Sequence, residues 1–105
     1  MAQFSVHKNK NPKTRAIYPF LVDIQADLLR DLQTRVVVPL VRQTSMGKKP
    51  IDSLTPMVEV EGQRFLMLVP QLAGVALTEL GPKVSSIAGQ RAEVVAAIDF
   101  LVTGI

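Results

Sequence analysis

The chain has 105 residues, enough for one small domain with a thin core, and its 48% hydrophobic and 20% charged residues exclude a disordered chain. The absence of Cys excludes disulfides and thiolate metal ligation and fits a reducing compartment; with no signal-like N-terminus and no run near the ~20 apolar residues of a membrane span, a soluble cytoplasmic protein is expected. The net charge of +3 is unevenly divided, because residues 1–50 hold nine Lys or Arg against Asp23, Asp27 and Asp31, whereas residues 51–105 hold three basic residues against six acids; one basic face is expected.

In chain order, Gln3 to Lys8 alternates Phe4 and Val6 with polar neighbours, the period of a half-buried strand. Lys8, Lys10, Lys13 and Arg15, set among Asn9, Asn11 and Pro12, read as a mobile basic loop, either a solvated hairpin tip or an electrostatic dock for an acidic protein segment or a phosphate backbone. No aromatic lies within the cluster to stack a base. Phe20 to Ile24 and Arg35 to Leu40 are β-branched runs of strand length, the second expected to be stopped or bulged by Pro39. The segment from Gln43 to Ser53 reads as an exposed loop. Met57 to Val60 and Arg64 to Val69 flank Glu61-Gly62, a tight hairpin signal. Ala73 to Leu77 predicts one more short strand before a turn at Gly81-Pro82.

From about Ile87 the spacing changes to that of a helix, with Val94, Ile98, Leu101 and Ile105 on one stripe and Val95 and Val102 beside it. Between Ala92 and Ile105 the polar side chains are Glu93, Asp99 and Thr103 alone, so the apolar surface runs round most of the helix and needs burial on more than one side. Five or six antiparallel strands and one terminal helix predict a mainly β domain spanning 1–105, a small barrel capped by a helix.

Catalytic chemistry is not evident. His7 is the sole histidine, which excludes a His-based metal site or a His pair, and in a strand beside the basic loop it reads as a surface histidine rather than a general base. Asp23 interrupts an apolar run on the face opposite Val22 and Ile24, the place of a solvated or hydrogen-bonded strand carboxylate. No Ser lies in a G-x-S-x-G setting and the glycines form no phosphate-cradling loop. A binding protein is expected, with no catalytic residues, no metal and no cofactor.

Gln3-Phe4-Ser5-Val6, the run Phe20 to Leu29 followed by Thr34 to Leu40, and the ending Ala97 to Ile105 resemble, in order and over nearly the whole chain, the CcdB toxins. The resemblance implies an SH3-like barrel of antiparallel strands of the CcdB and MazF kind with a C-terminal helix, and a homodimer built around that helix. It further implies the toxin half of a type II toxin–antitoxin module, of the sort that serves plasmid maintenance. Such a toxin binds the DNA gyrase A subunit, traps the gyrase complex with cleaved DNA and so inhibits replication. A CcdA-like antitoxin neutralises it, and operator DNA, hence transcriptional autoregulation, is reached only through the antitoxin complex.

On matching positions the resemblance places gyrase contacts at Asp99, Val102, Thr103, Gly104 and Ile105, with a second patch at Ala26, Leu28 and Leu29. Thr103 stands where the best-studied pattern ends Trp-Gly-Ile, which removes an aromatic anchor; Val102 and Asp99 replace Phe and Asn. The dimer seam is expected at Ile98, Leu101 and Val102, and charge places the antitoxin on Lys8, Lys10, Lys13 and Arg15. Two other classes stay open: a MazF-like endoribonuclease toxin, for which Arg15 with Glu59 or His7 are the candidates, and a non-toxic nucleic-acid-binding or structural homologue using the basic half.

Overall fold

The computed structural model describes residues 2–29, 31–45 and 52–104. Seven antiparallel strands, β1 (Ser5–Asn9), β2 (Phe20–Asp23), β3 (Thr34–Arg42), β4 (Met57–Val60), β5 (Gln63–Met67), β6 (Ala73–Ala76) and β7 (Leu80–Ser86), precede the helix α1 (Arg91–Thr103). They form one curled sheet in the order β4-β5-β3-β2-β1-β7, with β6 also paired to β3. The mainly β half-barrel with one C-terminal helix is the expected class. Among the described residues no helix is long and apolar enough to cross a membrane.

The hairpin at Glu61-Gly62 forms as the dipeptide predicts, with φ of 52° and 78° giving the left-handed pair of a type I′ turn. Pro39 neither stops nor ends its strand. The outer side of β3 pairs with β6 through Thr34 to Val37 and with β5 from Leu40 to Arg42. Pro39 falls in the gap between those partners, and its carbonyl accepts from Leu68 N at 3.0 Å. A residue in an extended strand aims its N–H and C=O the same way, so the missing donor of Pro39 faces the place where no ladder bond is due.

Gly81-Pro82 is not a turn. It lies inside β7, an end strand of the sheet, where a proline costs no ladder bond on the open side. The register with β1 shifts on either side of His7. Gly81 is fixed there by space, since a Cβ would come within 2.9 Å of the Lys8 carbonyl. The polar face of β1 is likewise not solvent-facing. Ser5, His7 and Asn9 are all buried because β1 is enclosed between β2 and β7, and each bonds inward: His7 Nδ1 donates to the Gly81 carbonyl at 3.0 Å and its Nε2 lies 3.0 Å from Ser5 Oγ.

Val6, Val22, Val38, Leu40, Phe65 and Met67 build the main core, against which α1 sets Val94 and Ala97, with Val95 and Ile98 partly buried. Phe20 meets Phe65 edge-on at 5.3 Å between ring centroids. The helical stripe therefore runs through Ala97 and ends its core contact at Ile98. Leu101 and Val102 lie beyond it, and Ile105 lies outside the described residues, as does 46–51 of the expected loop.

The second face of the β2–β3 pair holds a buried ion pair. Arg35 and Asp23 are both fully enclosed; Arg35 Nε and Nη2 both reach Asp23 Oδ2, at 2.9 and 2.6 Å. Asp23 is thus hydrogen-bonded, as one of its two expected states, and not solvated. Removing either partner leaves a buried charge unpaired, so Arg35→Met or Asp23→Leu alone should cost about 3–5 kcal/mol of unfolding free energy. Urea denaturation should show the double replacement costing much less than the sum of the two.

Candidate functional site

Two surfaces gather the side chains that the sequence singled out. The first is the segment 24–33 between β2 and β3. It leaves the sheet at the end where the buried pair sits, and a short 3-10 turn over Asp27–Leu29 closes through Leu29 N to the Ala26 carbonyl at 2.9 Å. Asp27 Oδ1 accepts from Gln3 N at 2.7 Å, tying the turn to the N-terminal segment. The outcome is a display of apolar side chains to water: Leu28 is 94% exposed, Leu29 and Leu32 are half exposed, and Ala26 is exposed. Leucine is among the most often buried residues, so three of them exposed on one short segment form an unusual apolar display and a candidate contact surface. Leu32 belongs to this display and was not identified from the sequence, where an isolated Leu in a polar stretch carries no signal.

The last turn of α1 also exposes apolar side chains, as Ile17 and Met57 do singly elsewhere. Val102 is 74% and Leu101 37% exposed, and Asp99, Thr103 and Gly104 are exposed. Thr103 Oγ1 donates back to the Asp99 carbonyl at 2.7 Å, which occupies its hydroxyl within the helix. Gly104, at φ 75°, ends the helix in the left-handed conformation with its N–H on the Phe100 carbonyl. Ile98, the inner member of the expected dimer seam, is half-buried against this chain's own core.

The second surface is basic. Lys8, Lys10 and Arg15, with Asn9, line a groove of about 510 Å³ whose floor and walls are Pro19, Phe20 and Pro82, and no acidic residue lines it. Lys13 is not part of it; it borders an adjoining depression with Lys10, Thr78 and Glu79. The expected mobile loop is instead a hydrogen-bonded series of turns. Asn9 Nδ2 donates to the Tyr18 carbonyl at 2.9 Å and to Thr14 Oγ1 at 3.0 Å, while Asn9 Oδ1 and Asn11 Oδ1 accept from Asn11 N and Lys13 N, each at 2.9 Å. Asparagine at both positions supplies the side-chain acceptors that such turns require. Because β1 and β2 are antiparallel, this groove and the leucine-bearing segment sit at opposite ends of that strand pair.

The residues considered for phosphoryl chemistry do not assemble. His7 is buried between Ser5 and Gly81, Glu59 lies on β4 opposite Arg64, and Arg15 lines the basic groove without either. Among the described residues no three His, Cys, Asp or Glu side chains gather to hold a metal.

Solved toxin structures share this fold. The Mycobacterium tuberculosis toxin MazF-mt6 superposes with a TM-score of 0.73 at 14% identity, over 93% of this chain and 95% of that one. An endoribonuclease in complex with its cognate antitoxin, from a mycobacterial species, gives 0.76 at 8% identity, over 97% and 94%. A third, a toxin described as from Mtb, gives 0.65 at 14% identity, over 78% and 90%. At these identities the likeness is one of architecture, and fold alone does not carry activity. The model of the CcdB protein family matches residues 3–104. With all but the terminal residues covered, this chain belongs to the CcdB family.

Proposed function

We propose that this protein is the toxin of a type II toxin–antitoxin module, and that it acts by binding the DNA gyrase A subunit and trapping the enzyme on cleaved DNA. The observation that carries the reading is the exposure of Leu28 and Val102, large apolar side chains standing in water at the two places where the family resemblance puts target contacts. Neither contributes to the core of its own chain. Ala26, Leu28 and Leu29 would form one contact and Asp99, Val102, Thr103, Gly104 and Ile105 the other. The activity is one of binding, and the chain's own residues perform no bond chemistry.

Assembly as a homodimer follows from the same helix. Leu101 and Val102 extend the apolar surface of α1 past its contact with the core, and a second copy related by a two-fold axis would cover them, with Ile98 at the inner margin. Light scattering should then give a dimer for the parent chain. Leu101→Asp, which places a charge in that seam, should give a monomer.

The groove of Lys8, Lys10 and Arg15 suits a CcdA-like antitoxin with acidic side chains flanking an apolar one, the carboxylates meeting the cations and the apolar group meeting Phe20, Pro19 and Pro82. Operator DNA would be engaged through that complex. Reversing the charge of all three groove residues should slow association with an acidic antitoxin by about tenfold or more at low salt. Reversal at Lys13 alone should change the rate much less, because Lys13 does not line the groove.

Purified protein incubated with gyrase and supercoiled plasmid should accumulate cleaved DNA, and incubated with RNA should leave it intact. Leu28→Asp, or deletion of 103–105, should abolish the cleavage while leaving the thermal midpoint nearly unchanged, since Leu28, Thr103 and Gly104 are exposed. Cleaved RNA, or DNA trapping that survives both changes, would sink the proposal.

A further inference from the structure

We infer that Gln25 is a positioning residue for the leucine display, its buried amide fixing where Leu28 and Leu29 stand; this rests on the reading of that display as the gyrase-binding surface. Exposed side chains have no packing partner to hold them, so their place is set by the backbone that carries them. The backbone of this segment is held from within. Gln25 is 7% exposed, and its Nε2 donates to the Leu29 carbonyl at 2.9 Å while its Oε1 accepts from Val36 N at 3.1 Å. One side chain thereby joins the tip of the turn to the first residues of β3.

The residue type follows from the geometry. The bridge needs a donor at one end and an acceptor at the other without a charge, and a primary amide supplies both. Gln25 is itself held by the buried pair beneath it, because its N–H donates to Asp23 Oδ1 at 3.0 Å and its carbonyl accepts from Arg35 Nη2 at 3.4 Å. The order runs from the ion pair through Gln25 to the turn. It ends on leucines that add nothing to the chain's own core, so this rigidity serves a contact outside the chain, by removing the ordering cost from the moment of binding.

The test is a double-mutant cycle on the affinity of the full-length protein for purified gyrase A subunit. Gln25→Met keeps the volume and loses both side-chain bonds. It should weaken binding about tenfold in the parent background and have no further effect in a Leu28→Ala/Leu29→Ala background, as coupled positions do. Val41→Ala, a core change in a separate cluster with Leu66 and Leu68, should lower the thermal midpoint without changing affinity. Equal losses in both backgrounds, or no loss in the first, would overturn the positioning role while leaving the docking surface standing. Parent-like binding by the Leu28→Ala/Leu29→Ala variant would overturn the surface and the inference together. Should Gln25→Met not fold, Gln25→Glu keeps the acceptor for Val36 N, loses the donor to Leu29 and enters the same cycle with the same two readings.

Discussion

The rest of the molecule depends on the Asp23–Arg35 pair, because it is a full pair of charges with no access to water in a domain of this size. Such a pair adds little net stability, since desolvation consumes most of the attraction, but it penalises every arrangement in which the partners do not meet. Slipping β2 against β3 by one residue would turn Asp23 into the apolar core and leave Arg35 alone. The ion pair therefore fixes the register on which the central strands are built. Its satisfaction is incomplete. Both guanidinium contacts fall on one carboxylate oxygen, the other oxygen is taken by Gln25 N, and Arg35 Nη1 is a buried nitrogen without a hydrogen-bond partner. A pair retained at that cost fits a role in specifying geometry more than in adding stability.

What the pair specifies is the point where the chain leaves the sheet. Beyond Asp23 the backbone enters a segment that exposes Leu28, Leu29 and Leu32 to solvent while it buries the side chain of Gln25. Burial of that amide is tolerated because both of its ends are hydrogen-bonded, to the Leu29 carbonyl and to Val36 N. At the other end of the β1–β2 pair the turns around Asn9 and Asn11 do the opposite, holding cations apart around an apolar floor. One strand pair thus separates an apolar surface from a basic one. In the proposed function the first suits a target and the second an acidic neutraliser.

The shared architecture with MazF-type toxins shows how little the sheet itself commits the chain to a chemistry. The same half-barrel buries His7 here between a serine hydroxyl and a carbonyl, where it braces β1 against β7. Function on this fold lies in what the loops and the end of the helix present, and those are the parts that vary without disturbing the core.

The sequence by itself determined the elements whose signal is local. The Glu61-Gly62 hairpin, the β-branched run from Arg35 that begins a strand and the change of period that starts the helix each depend on neighbours a few residues apart, and the family was legible because several such stretches occur in order. The candidate contact residues came from that resemblance, not from periodicity. Only the tertiary structure decided what depends on distant partners. Gly81-Pro82 became strand because β1 pairs with it across a register shift, the polar face of β1 was buried between β2 and β7, and Pro82, far along the chain, joined the groove that Lys8, Lys10 and Arg15 line without Lys13. Arg35 and Asp23 read as unrelated charges until the β2–β3 register brought them together, and nothing local in the sequence showed that Gln25 would bridge the turn carrying Leu28 to β3. The physical reason is common to all of these: burial and charge pairing are properties of the pairing register, and no window of sequence contains both of its sides.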